Sequence, residues 1–328
     1  MAQNNDSLAI MLLCCRMSAT RQELFDPLSP QEYYSLAYRL RTHVHKTPEW
    51  LLGRSVGELM ATLEITEQEA HRILVLMERM VSLSYELDSY DKNDIGIITC
   101  ADKRYPARLT ERLGQLSPPV LYVSGNMNLF HEPVLSFIGS VPGNADSEAE
   151  TRRLMDAALA SSITVATGAT SGLDRSAESI LLKNGGKLIA WLPGGFDDVL
   201  AGGTLRDMIN ERRAAALSIV HPLSPVRSSF ARARSKCLYA TGTVACLIGC
   251  EFKRGDTWEG ASEALKNRYT DRLYCWDTDL FTGNKPLIER GAIAVADTAN
   301  IDFRRVRTRW EQDEGEQLSV FDDRHLIY

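Results

Sequence analysis

From residue 134 onward the chain alternates short apolar segments with amphipathic ones, and this alternation restricts the fold more than any other feature. The apolar segments are VLSFIG, ITVATG, KLIAWLP, ALSIVHP, TVACLIGC and RLYCWD, and between them SEAETRRLMDAALASS, LDRSAESILLKNG and TWEGASEALKNR carry apolar residues at helical spacing. Strands that are apolar on both faces need cover on both faces, so repeated strand-helix units predict a parallel sheet between two helical layers. Right-handed crossovers then predict a doubly wound, Rossmann-like α/β domain.

The residues before it have a different pattern. SPQEYYSLAYRL opens with a Ser29 cap and Pro30 at the first helical position, and Thr66 with Glu69 three residues later forms a capping box ahead of a run with helical periodicity. The expected organisation is a helical N-terminal domain over 1–90, a connecting segment over 91–133, the Rossmann-like domain over 134–303 and a flexible acidic tail over 304–328.

In a sheet of this kind ligands bind beyond the carboxyl ends of the strands, where glycines let backbone N–H groups approach an anion and the next helix adds its positive end. Four strand ends are so built: Gly139-Ser140 with Gly143, Gly168 leading to Ser171-Gly172, Pro193-Gly194-Gly195, and Gly255-Asp256-Thr257. Together they predict a phosphate or nucleotide site. No G-x-G-x-x-G follows the first strand, which sets NAD and FAD aside, and no cofactor is expected. The seven cysteines form no C-x-x-C pair and the six histidines no H-E-x-x-H, so neither a metal site nor a disulfide framework is expected. His221 reads as an ordinary residue at a strand end, and Lys187 falls at the opposite end of its strand.

A net charge of −6 argues against indiscriminate polyanion binding, but it is unevenly spread. Arg206 to Lys236 holds seven basic residues and two acids, a net of +5 that leaves −11 for the remainder. If 226–239 is a helix, Arg227 and Arg234 share one face and Arg232 and Lys236 another. Arg232 and Arg234 are the expected phosphate contacts. Trp258, at a helix start beside Gly255, is read either as a platform for a base or as a hydrophobe closing the sheet edge.

The run GIITCADKRYPARLTERLGQLSPPVLYVSGNMNLF, followed by SFIGS, VATGATSGLDRSAE, NGGKLIAWLPGGFD and LSIVHP, resembles the DprA (Smf, DNA-processing protein A) family over about residues 30–300. The resemblance implies a sterile-alpha-motif-like N-terminal domain, single-stranded DNA binding by the Rossmann-like domain, a homodimer, delivery of DNA to a RecA-type recombinase, and no covalent chemistry. Two positions depart from the family pattern. Val141 and Ser171 stand where the family has arginines, whereas Arg232-Ala233-Arg234 approximates the family's R-N-R.

Asp174 and Glu259 raise an alternative, a nucleotide sensor or a LOG-like phosphoribohydrolase, with a possible setting in defence against foreign DNA. Gly255-Asp256-Thr257-Trp258-Glu259 echoes half of the LOG-type loop, while Asp174 at a helix start serves the macrodipole without chemistry. In the tail, Gln317-Leu318-Ser319-Val320-Phe321 resembles the pentapeptide that docks on the bacterial sliding clamp. No apolar run has the length of a membrane span, and Leu8 to Cys15 follows an acid instead of a basic segment, so neither a membrane anchor nor a signal peptide is expected. The chain is therefore expected to be a cytoplasmic, non-catalytic DNA-binding protein.

Overall fold

A computed structural model describes residues 4–19, 23–139 and 143–303. Two compact units emerge. One holds the described residues up to Tyr122 with the short segment Ile219–Ser224, and the other holds Val123–Ser218 with the described residues from Pro225 on.

The first unit contains α1 (Asn5–Cys14), α2 (Pro30–Val44), α3 (Val56–Leu63), α4 (Glu67–Met77), α5 (Met80–Asp91), β1 (Gly96–Thr99) and α6 (Ala107–Leu113). Capping boxes start α2, α3 and α4, at Ser29/Glu32, Ser55/Glu58 and Thr66/Glu69, each satisfying two N–H groups that a helix start leaves open. α1 is buried almost all round, from Ala9 to Leu13. Arg79 closes its end by donating to the carbonyls of Leu12 and Cys15 while pairing with Glu23. His221 also belongs to this unit: its Nδ1 accepts from the Leu223 N–H at 3.1 Å and its Nε2 lies 3.2 Å from Glu86. Burial lowers its pKa.

Strand β2 (Val120–Gly125) crosses the boundary between the units. The second unit continues with β3 (Val134–Ile138), α7 (Ala145–Ala160), β4 (Thr164–Thr167), α8 (Leu173–Lys183), β5 (Lys187–Trp191), α9 (Asp197–Leu200), α10 (Thr204–Asn210), β6 (Ala214–Ser218), α11 (Ser228–Thr241), β7 (Val244–Leu247), α12 (Gly255–Asn267), β8 (Leu273–Trp276), α13 (Asn284–Glu289) and β9 (Ile293–Val295). Its strands run in the order β6-β5-β4-β3-β7-β8-β9, every pair parallel. Leu135 of β3 stands opposite Val165 on one side and Val244 on the other, and all five residues of β3 are buried. α7 packs on α8, and α11 packs on α12 and on β3. Right-handed crossovers put these two pairs on opposite faces, because the path runs outward from β3 to β6 and then from β7 to β9 in the other direction.

The topological switch point therefore lies between β3 and β7, where a doubly wound sheet opens a crevice at its carboxyl edge. Asn284 holds the β7 side of that edge. It is fully buried, donates to the carbonyls of Ile248 (2.9 Å) and Trp276 (2.8 Å), and accepts from the Cys250 N–H (3.1 Å).

Each of the six apolar segments forms a strand, and the starts of α7, α8 and α12 fall within two residues of the expected helices. β1, β2, β9, α1, α6 and α13 are elements that the sequence pattern does not announce. No helix among the described residues is long and apolar enough to cross a membrane. Asn284→Ala removes three buried hydrogen bonds and leaves their partners unsatisfied, so it should lower unfolding stability by about 3 kcal/mol. Urea denaturation would measure this; a loss below about 0.5 kcal/mol would mean that Asn284 does not hold the edge together.

Candidate nucleic-acid interface

The glycine-bearing turns lie together by topology, since Gly139, Gly168 and Pro193-Gly194-Gly195 follow the carboxyl ends of β3, β4 and β5, and Gly255 opens α12 after β7. Close packing explains Gly139: a Cβ there would stand 2.3 Å from the Phe137 ring and 2.9 Å from Leu173 Cβ. Gly143 is exposed next to the Asn144 cap of α7, Ser171 is exposed, and Gly172 is the N-cap of α8. Thr257 is half-buried in the first turn of α12. Ser140, with Val141, lies outside the described residues, as do Gln317, Leu318, Ser319, Val320 and Phe321 of the tail.

Asp174 joins the turns after β3 and β4. Its carboxylate, 2% exposed as a residue, accepts from the Gly139 N–H (3.2 Å), the Thr170 hydroxyl (2.6 Å) and the Thr170 N–H (3.3 Å). Burial raises its pKa, opposed by these donors and by Arg234. Arg234 reaches across from α11, donates to the Gly168 carbonyl at 3.0 Å, and is attracted by both Asp174 and Asp256. Burial pulls its pKa down, and those two acids oppose the shift.

The basic residues of α11 thus separate by role. Arg232 is 66% exposed and pairs with Glu259 of α12, and Lys236 pairs with Glu263 at 2.8 Å. Arg234, expected as a phosphate contact, is partly buried and braces the β4 turn through its bond to the Gly168 carbonyl and its attraction to Asp174. Trp258 is 6% exposed, with Phe252 edge-on at 4.9 Å and the Arg290 guanidinium 4.7 Å over its ring. Of its two expected roles, closing the edge as a packed hydrophobe is the one it fills; a base cannot stack on a ring already covered. Lys187 stays at the amino end of β5, bonded to both carboxylate oxygens of Glu132.

The helix starts carry a signal that sequence reading missed. α8, α11 and α12 begin at the carboxyl edge with no side chain capping them, whereas α7 has a capping pair in Asn144 and Ser147. The N-cap residues of α11 and α12 are Arg227 and Arg254, both exposed and, among the described residues, without an ion-pair partner. An arginine there supplies no acceptor for the open N–H groups and adds positive charge to the positive end of the dipole. Two such starts on one edge favour an anion. An arginine where Ser, Thr, Asp or Asn would cap was the legible clue. Among the described residues no group of His, Cys, Asp and Glu is arranged to hold a metal ion.

Residues 96–303 match the family model of DNA recombination-mediator protein A. The chain belongs to that family. The fold agrees: DNA processing protein A (DprA) from Streptococcus pneumoniae superposes with a TM-score of 0.61 at 18% identity, covering 84% of this chain and 99% of that one. DNA processing protein A from Helicobacter pylori superposes at 0.52, also at 18% identity, over 63% of this chain and 93% of that one. No curated protein matches the sequence.

Glu178 of α8 is buried, accepts from Thr167 at 2.8 Å and pairs with Arg175 at 3.3 Å; burial pushes its pKa up to about 7. The folded chain holds this proton up to about pH 7, whereas the unfolded chain releases it near the ordinary 4.5, so stability falls as pH rises through that window. Glu178→Gln should match the natural chain below pH 4.5 and exceed it above pH 7 by on the order of 3 kcal/mol. Parallel stability-pH profiles would remove this origin for the shift.

Proposed function

We propose that the chain binds single-stranded DNA at the carboxyl edge of its sheet and mediates recombination by holding and delivering the strand. The observation that carries this reading is the pair of exposed arginines at the N-caps of α11 and α12, next to the uncapped start of α8. Phosphate suits that edge doubly, through the positive ends of α11 and α12, which no side chain caps, and through charge-assisted bonds to Arg227 and Arg254. Family membership supports it. So does the fold shared with the Helicobacter pylori protein, which is described by its single-stranded DNA binding mode.

Binding is favoured over turnover by the state of a carboxylate. Asp174, one of the two acids that suggested a phosphoribohydrolase, is buried and committed to Gly139 and Thr170, which leaves it no free carboxylate to offer a substrate. A RecA-type recombinase as recipient, a homodimer as the working form and the cytoplasm as its setting complete the proposal. Gln317 to Phe321 would tether it to the sliding clamp.

Fluorescence anisotropy of a labelled oligonucleotide over about 50–200 mM salt, with duplex competitor, tests the edge. Arg227→Ser with Arg254→Ser should raise stability by about 0.5–1 kcal/mol per helix while weakening single-strand binding and flattening its salt slope by about 1.4. A gain in stability without loss of binding would remove the arginines from the interface. For the tail, deletion of residues 317–321 should abolish clamp binding in a pull-down with purified clamp; retention would refute the motif.

A further inference from the structure

The groove between α11 and α12 is lined by residues that the edge itself does not use. The pairs Arg232 with Glu259 and Lys236 with Glu263 are each offset by four residues, one turn on both helices, so α11 and α12 run parallel and in register from the carboxyl edge. They lie close: a Cβ on Gly260 would stand 2.5 Å from Ser235 Oγ. Outside this interface is a groove of about 480 Å³ that Lys266 and Arg290 also line. Its four cations exceed its two acids on a chain whose net charge is −6.

Three features suit a phosphate there. Arg232 and Glu259 are 66% and 53% exposed, so their pair is weak and a phosphate can replace the carboxylate. Arg290 lies over the Trp258 ring at 4.7 Å and donates from one terminal nitrogen to Ser262 Oγ at 3.2 Å, which holds its guanidinium and leaves further N–H donors for another acceptor. Lys266 is exposed and, among the described residues, has no ion-pair partner. From Glu259 to Lys266 the groove extends along the helix by about 10 Å, so it prolongs the path away from the edge.

We propose that this groove is a phosphate track for a polynucleotide strand that has left the carboxyl edge, with Arg232, Lys266 and Arg290 binding its backbone. The proposal rests on the single-strand reading of the edge and adds a second, length-dependent segment to it. Free nucleotides, which end at the edge, would not use it.

Anisotropy with oligothymidylates of about 5 and about 20 nucleotides separates the two segments. The Lys266→Glu/Arg290→Glu protein, and Lys266→Glu alone in case uncovering Trp258 harms folding, should bind the long strand several-fold more weakly, with a salt slope lower by about 0.7 for each cation replaced, while binding the short strand unchanged. Excess thymidine monophosphate should compete with the short strand equally in all three proteins. Equal weakening for both lengths, or none for either, overturns the track. If the natural protein binds neither strand, the reading of the edge falls and the track falls with it.

Discussion

Asp174 sits where the turns after β3 and β4 meet α11, and its buried carboxylate is satisfied by neighbours from each. A carboxylate out of water is costly unless its oxygens are paired, and here Gly139, Thr170 and the charge of Arg234 offset that cost. Remove it and the Gly139 N–H, Thr170 and Arg234 all lose an acceptor or a counter-charge at once. The edge is therefore fixed before any ligand arrives, with the N–H groups of Gly139, Ala169, Thr170 and Asp174 all bonded within the protein.

The charge pattern follows from the same arrangement. Arg234 is committed to the fold, between Asp174 and Asp256, and positions 141 and 171 carry Val and Ser. An acidic protein with few free cations at its site can still attract phosphate through helix ends, and α8, α11 and α12 all present theirs uncapped. In the first unit α2, α3 and α4 are closed by capping boxes, while α5 and α6 start without a side-chain cap; the Arg79 N-cap of α5 turns inward to the carbonyls of Leu12 and Cys15, whereas Arg227 and Arg254 at the edge are exposed.

Much of the sheet was legible because its strands are apolar runs bounded by glycine or proline, a signal that depends only on neighbours in sequence. The six strands β3 to β8 follow from it. β9 was not expected although Ala292 to Ala296 is an apolar run after Gly291: the strand has only three residues, and Ile293 and Ala294 are exposed at the sheet edge. Nor did α1, whose LAIMLL core is apolar all round and carries no helical period. At the site, helical spacing correctly separated Arg232 and Lys236 from Arg234, but which face meets Gly168 and which meets α12 is decided by packing between elements far apart in sequence. Trp258 was ambiguous for the same reason, since Arg290 covers it from 32 positions away.

The pairing of β3 with β7 has a consequence for how the molecule comes into being. The Val134 N–H bonds to a Thr243 side chain 109 residues later, so the central strand of the sheet cannot acquire one of its two neighbours until β4, β5, β6 and α11 have all been synthesised. Pairings of such long sequence separation form slowly, because loop closure must precede any gain from pairing. A nascent chain leaving the ribosome thus carries β3 with one side open, and the crevice between β3 and β7 is among the last features to assemble. The protein acquires a place for its ligand only when synthesis of the second unit is nearly complete.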